Sequence, residues 1–310
     1  MLTCQKLSKK PDVFRRFTGL TVEEFDALHA LVERRYPAAE RRRLSKRKRV
    51  KAIGQGGKFT RPLQERLLAL LVYCRVYPSY AFLGYLFGID ESNILRNIAY
   101  LEPLVRRCIP LPEKLSRGAK RVSSMEQLLA LFPDAKAILD ATEQEIQRPQ
   151  DPERRKTHYS GKKKRHTVKT QLLVNVRGLI LDRSASVAGR VHDYALFKEA
   201  TPAVPAGVEV LADSGYQGIA ADFPGLRSRI PRKKPKGREL SRADKRFNHA
   251  LARERVIVEH AIRRAKTFRI WGDTFRNRLE HHDGMASLVA GLVNFKTLMR
   301  DGADMRAFVG

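Results

Sequence analysis

Ile138-Leu139-Asp140-Ala141-Thr142-Glu143 is the stretch around which the chain is organised. Its apolar run reads as a buried strand that delivers one carboxylate, Asp140, to the strand's end. Val208-Glu209-Val210-Leu211-Ala212-Asp213-Ser214-Gly215-Tyr216 repeats the pattern, with Asp213 followed by a glycine turn. Further on, Arg255-Val256-Ile257-Val258-Glu259-His260 carries a third acid inside a helical pattern. Each acid is embedded in apolar residues, where an unpaired charge is expensive. Three such acids from separate elements point to a metal site. Mg²⁺ is a hard cation that prefers oxygen ligands and keeps several waters, so a few carboxylates hold it. Asp140 at the end of a first strand and Asp213 at the end of a fourth stand side by side if those strands are neighbours. Glu259, on a helix packed across the sheet edge, completes the set.

The rest of the chain is basic. Its 310 residues carry 61 Lys and Arg against 33 Asp and Glu, a formal charge of +28. An imbalance of that size favours a polyanionic partner, with nucleic acid the leading candidate over a membrane surface. No apolar stretch approaches the ~18 residues of a spanning helix, and Met1 to Lys10 lacks the apolar core of a signal peptide. Cys4, Cys74 and Cys108 are widely spaced and odd in number. They argue for a reducing compartment and against a disulfide framework or a zinc finger. The expected location is cytoplasmic and nucleoid-associated in a prokaryotic host, or nuclear in a eukaryotic one.

Residues 12–36 have helical spacing, with Thr21 as N-cap and Glu23 and Glu24 in the first turn; Pro37 is expected to end the section. Arg41 to Lys51 contains no acid and reads equally as a solvated linker and as a phosphate-contacting arm. Gly54-Gln55-Gly56-Gly57-Lys58 lacks phosphate-loop spacing and reads as a joint. From Arg61 to Arg107 the pattern is helix, short helix, turn, helix. Leu63, Leu67, Leu70, Leu71 and Cys74 mark the first apolar face; Ser79 caps a helix burying Phe82, Leu83, Leu86 and Phe87; Gly88 turns the chain. A third helix starts at Asp90 or Ser92, with Ile94, Ile98 and Leu101 inward and Asn93, Arg96, Asn97 and Tyr100 on the other face. This is the layout of a helix-turn-helix whose last helix enters the major groove; a plain three-helix bundle is the alternative.

After a bridge over 110–134, the expected order is strand (Lys136 to Glu145), strand (His166 to Val176), strand (Leu179 to Ser186), helix (Asp193 to Ala200), strand (Val208 to Asp213), strand (Leu226 to Ile230), then helices over Ser241 to Phe268 and His282 to Met299. That order is α/β, with a mixed five-stranded sheet flanked by helices, of ribonuclease-H-like type. Asp182 reads as a surface salt-bridge partner. Arg255, Glu259 and Lys266 are four and seven residues apart and share one helical face. One acid and two cations there fit a metal ligand flanked by phosphate clamps. An intrahelical Arg255–Glu259 salt bridge accounts for the first pair and leaves Lys266 unexplained.

At these residues the sequence resembles insertion-sequence transposases of the DDE superfamily, in the branch related to Harbinger-type elements. The matching stretches are Asp140-Ala141-Thr142, Ile146 to Pro149, Tyr159-Ser160-Gly161-Lys162-Lys163-Lys164-Arg165-His166-Thr167-Val168-Lys169, Gly189-Arg190-Val191-His192-Asp193, Leu211 to Gly218, and the Arg255, Glu259, Lys266 helix. A Tyr common in the family three residues before the Arg is Ala252 here. The resemblance implies Asp140, Asp213 and Glu259 as a catalytic, metal-binding triad, and assigns no role to His192 and Asp193 beyond capping the helix that follows. It implies Mg²⁺ or Mn²⁺, as two ions, and double-stranded DNA, both element ends and target, handled by a homo-oligomer. Lys162, Lys163, Lys164 and Arg165, within a run from Arg154 to Lys169 that has no acid, are expected on the DNA backbone together with Arg255 and Lys266. So is the run from Arg232 to Arg238. The domains expected are a basic helical region and linker (1–60), the helix-turn-helix (61–118) and the catalytic domain (119–310). The expected activity is metal-dependent cleavage and strand transfer; an endonuclease without strand transfer and a silent DNA-binding regulator are the alternatives.

Overall fold

Thr21 and Glu24 set the N-terminal architecture by capping reciprocally. The Glu24 carboxylate accepts the Thr21 N–H at 2.8 Å, and the Thr21 hydroxyl accepts the Glu24 N–H at 3.2 Å, which satisfies two donors that a helix start leaves open. The computed structural model describes residues 1–45, 59–235 and 237–303. Short helices α1 (Cys4–Ser8) and α2 (Pro11–Thr18) precede α3 (Val22–Ser45). α3 runs through Pro37, where the sequence led us to expect an end. Packing on both sides of the proline overrides its helix-breaking tendency. Tyr36 accepts from the Arg66 guanidinium at 2.9 Å and Glu40 accepts from the Tyr100 hydroxyl at 2.8 Å. The Gly54–Lys58 joint and the second half of the Arg41–Lys51 run lie outside the described residues.

Next come α4 (Leu63–Val76), α5 (Tyr80–Phe87) and α6 (Glu91–Cys108). Ser79 caps α5 and Asp90 caps α6. α4 was expected to show one apolar stripe, yet Leu67 to Cys74 are all buried, because α2, α6 and the C-terminal helices surround it. Phe82 was expected inside; it is exposed, beside exposed Tyr85, while Leu83 and Phe87 make the contact with the core. Helices α7 (Pro112–Ala119) and α8 (Met125–Leu131) lead into the sheet.

The sheet comprises β1 (Lys136–Glu145), then, after α9 (Pro152–His158), β2 (Tyr159–Ser160), β3 (Arg165–Asn175), β4 (Ile180–Arg183) and β5 (Val187–Ala188). After α10 (Asp193–Ala200) come β6 (Glu209–Leu211), α11 (Ile219–Asp222) and β7 (Arg227–Arg229). β1 pairs antiparallel with β3 along its length and parallel with β6, and β6 pairs parallel with β7. β4 and β5 both pair antiparallel with β3. The sheet is mixed, as expected, but has seven strands rather than five, in the order β2-β3-β1-β6-β7 with β4 and β5 also paired to β3. The strand expected over Leu179 to Ser186 is shorter, ending at Arg183, and its register with β3 shifts between Leu173 and Val174. α12 (Arg242–Lys266), α13 (Arg269–Gly272) and α14 (His282–Arg300) complete the chain.

Alternation on β1 sends its residues to two cores. Ile138 joins a core shared with α12, α14 and the N-terminal helices, and Ala137 and Leu139 join the core under α8 and α10. α14 is buried almost all round, and the Asn294 side chain ties it to the sheet, bonding both the N–H and the carbonyl of Ile180. Asp182 carries no ion pair among the described residues; burial raises its carboxyl, and neighbouring Arg183 pairs instead with Glu113 and Asp283. No helix among the described residues is long and apolar enough to cross a membrane.

Candidate active site

β6 stops early, and that creates the site. Its register with β1 ends at the Ile138–Leu211 pair. Two residues further along each strand, Asp140 and Asp213 fall opposite one another on the same side of the sheet, because side chains alternate with a period of two. Asp213 lies beyond the strand because its carboxylate accepts the Gly215 N–H at 2.8 Å and caps a tight turn over Ser214–Tyr216. β1 continues past this point to Glu145 with no parallel neighbour, which leaves a notch at the carboxyl end of β6.

Asp140 is largely buried in that notch. Burial pushes its carboxyl up to about 6, Arg255 and the Ala141 N–H oppose the rise, and Asp213 and Asp193 add to it. The Arg255 guanidinium stands 4.0 Å from Asp140, and its Nε is buried without a partner. Asp193 stands beside Asp213: a methyl group added at Gly215 would lie 2.9 Å from the Asp213 carboxylate and 3.4 Å from that of Asp193. Lys169 holds Asp193 at 2.8 Å, lies 3.8 Å from Glu143 and donates to the Val191 carbonyl. Tyr216 closes the floor; burial, then Asp193, Asp140 and Asp213, hold its hydroxyl protonated while it donates to Gln171 at 3.2 Å. Asp193 is therefore more than the helix start that its sequence context suggests, since it shares the notch with the two other acids. Lys169 was legible only as one cation of a basic run. Its partners come together through strand register, which the sequence does not display.

α12 lies along β1. Glu254 pairs with Lys136 at 2.9 Å and with Arg229 at 2.7 Å, Arg255 faces Asp140, and Lys266 donates to the Glu143 carbonyl at 3.0 Å. Glu259 sits between the last two contacts, on the helical face that looks at β1, with its side chain exposed. No ion pair joins Arg255 to Glu259 among the described residues, so Arg255 serves the sheet rather than its own helix. Asp140 and Asp213 converge with Asp193 beside them, Glu259 remains outside, and among the described residues no three acid, His or Cys side chains are placed to hold one metal ion together. The donors suit a hard divalent cation in kind, for they are carboxylate oxygens held against one another with a single guanidinium opposite. Lys162, Lys163, Lys164 and Arg165 are exposed at the start of β3; Arg165 pairs with Glu145 at 2.6 Å, and Lys163 is near enough to Lys266 to help lower its ammonium, after burial.

On α6, Asn93 and Arg96 are exposed and bonded to each other at 3.0 Å. Asn97 turns inward: it accepts from Arg66 Nε at 2.7 Å and donates to the Arg66 carbonyl at 3.0 Å. Arg66 is buried beneath Phe59, its guanidinium 3.5 Å from the ring centroid. Tyr100 is likewise engaged, donating to Glu40.

Residues 139–294 match the family described as DDE superfamily endonuclease, and residues 62–111 match the helix-turn-helix of that superfamily. A protein of Microchaete diplosiphon described as the probable transposase for insertion sequence element IS702 is 30% identical over 289 residues, which cover 93% of this chain and 95% of that one. No solved structure matches.

Proposed function

Because the chain belongs to the DDE superfamily of endonucleases, in its insertion-sequence transposase branch, we propose that it binds the ends of a mobile DNA element and joins them to target DNA. The cleaving centre is the notch at the end of β6. The observation that carries this reading is the β1–β6 register, which sets Asp140 beside Asp213 with Arg255 opposite. Superfamily members use divalent metal ions; in this reading Mg²⁺ or Mn²⁺, as two ions, is held by Asp140, Asp213 and Glu259. Bound there, the ions supply charge stabilisation for nucleophile and leaving oxygen in phosphodiester cleavage.

The chain's own residues do the positioning. Arg255 offsets part of the acid charge so that the carboxylates stay together before DNA arrives. Lys169 holds Asp193 in place at 2.8 Å, and Tyr216 excludes water from below. Lys162 to Lys164, exposed in the turn that leads into β3, hold the strand's phosphates. Water attacks the scissile phosphorus and releases a 3′-hydroxyl. That hydroxyl then attacks a target phosphodiester, whose own 3′-oxygen leaves with the proton. α6 presents Asn93 and Arg96 to the element end, and two ends handled together call for a homo-oligomer.

The test is incubation with duplexes carrying the element's own ends and Mg²⁺ or Mn²⁺. The wild type should nick and join, whereas Asp140→Asn, Asp213→Asn and Glu259→Gln should each bind the ends yet leave them uncut. Full cleavage by any one variant removes that residue from the centre. The exposed position of Glu259 favours one second reading, a DNA-binding regulator without activity. End binding by the wild type with no nick under any divalent metal would establish it.

A further inference from the structure

Arg264 lies nine positions from Arg255 on α12, about two and a half turns at 3.6 residues per turn, and so points away from the face that meets β1. There α2, α4, α12 and α14 meet around a cavity of about 390 Å³, whose charged lining is Arg15, Arg75, Arg264, Lys296, Arg300 and Glu24. Arg300 is paired with Asp301 at 2.9 Å. Glu24 is occupied by the capping box of α3. The other four cations have no carboxylate at ion-pair distance among the described residues.

Their existing bonds go to neutral groups. Arg264 donates to Thr297 at 3.1 Å and to the Gly178 carbonyl at 2.8 Å, while its Nε is buried and unpartnered. Lys296 donates to the carbonyl of Gly19, a residue at φ +79° that packs so closely on Phe268 that a side chain there would overlap the ring. Arg75 rests over the same ring, 5.5 Å from its centroid. Burial lowers the Lys296 ammonium; Glu24 offsets part of this, and Arg15, Arg75 and Arg264 lower it further. Burial lowers Arg75 and Arg264 too, with Arg15 acting on the first and Arg300 on the second. Half-buried like charges that repel one another, with a donor left open, are stabilised by an anion. A second cavity of about 460 Å³ shares Arg264 and Arg300 and adds Arg177 and Arg263, so the positive lining continues along α12.

We infer that this seam between the N-terminal helices and the sheet-bearing half is a phosphate-binding site, separate from both the notch and α6, which takes the phosphate of a DNA strand or a free phosphate anion. The inference does not depend on which residues cut DNA.

The test uses the full-length protein as wild type, Arg15→Gln, Lys296→Gln and the double variant. Melting is followed in inorganic phosphate and in chloride at equal ionic strength, and duplex binding is followed against salt. Phosphate should raise the melting temperature of the wild type and have much less effect on the double variant. In chloride Arg15→Gln should melt at or above the wild type, because the repulsion is relieved. If DNA supplies the phosphate, each lost contact lowers the salt slope by about one, so that affinity falls roughly three- to fourfold less between 50 and 200 mM salt. A lost phosphate effect with an unchanged slope assigns the site to the free anion. Should Lys296→Gln disturb the fold, the exposed Arg15→Gln carries the test alone. Variants that keep both the full phosphate effect and the full slope overturn the inference.

Discussion

His282 shows how much one side chain holds at the base of α14. Gln144 donates both amide hydrogens to the carbonyls of Ile270 and Asp273, so its oxygen must accept from His282 Nε2 at 2.8 Å. That leaves His282 Nδ1 beside the Ser186 hydroxyl at 2.8 Å, and the same hydroxyl bonds Asp283 at 2.8 Å. Burial lowers its pKa to about 4, with Asp283 opposing and Arg183 assisting. A depressed histidine is protonated in the unfolded chain first. Its contribution to stability is therefore intact above pH 6.5 and is lost as pH falls from 6.5 toward 4, by an amount on the order of 3 kcal/mol. Denaturant unfolding of wild type and His282→Gln at pH 7 and pH 4.5 checks this: the wild type should lose stability more steeply than the variant. Neither His282 nor Gln144 announces itself in the sequence. The acids did so because carboxylates in apolar runs are conspicuous, whereas the Lys169–Asp193 pair and the inward turn of Asn97 depend on contacts between distant segments.

Elements divide their residues more finely than helical spacing suggests. On α6, Asn93 and Arg96 are free to meet a duplex, while Asn97 holds Arg66 in place. Arg96→Ala should weaken binding to the element end by roughly 1–3 kcal/mol if the arginine contacts a base, with little change in melting. Asn97→Ala should instead lower stability by about 1–3 kcal/mol, since it leaves the buried Arg66 Nε without a partner. Titration of end and random duplexes, alongside thermal melts, separates the two. On α12, Lys266 is half-buried and bonded to β1, so its removal should now affect the fold as well as the DNA. Lys266→Ala should melt lower and cleave more slowly, and Lys266→Arg should recover both in part; a variant with unchanged melting would show that the Glu143 contact contributes nothing. β1 and α10 were legible to the residue, because their apolar patterns and flanking signals agree with their packing. The course of α3 through Pro37, the exposure of Phe82 and the early end of β6 were not. Each is decided by a tertiary partner: Tyr100 and Arg66 for α3, the shallow seat of α5 for Phe82, and the Asp213 turn for β6.

The whole molecule shares a core across the boundaries expected from the sequence. Phe14, Leu28, Leu71 and Ile98 belong to the same buried cluster as Ile138, Val258 and Leu292. A fragment of residues 1–118 would expose the faces of α4 and α6 that pack on α13 and α14. It should therefore lack the cooperative melt of the full chain, which should unfold in one transition. Calorimetry of both proteins decides the matter: a fragment with its own sharp transition would make the N-terminal helices an independent unit.

A shared core also fixes a length. Buried side chains join α6 to the strands that carry Asp140 and Asp213, so under the proposed function the span from the groove that is read to the bond that is cut belongs to the protein as a rigid ruler. Duplex DNA advances about 3.4 Å and turns by a tenth of a revolution with every base pair. The scissile position is then a set number of base pairs from the recognised sequence. Inserting or deleting pairs between the two moves the cut along the DNA, and a protein of this build has no slack with which to follow it.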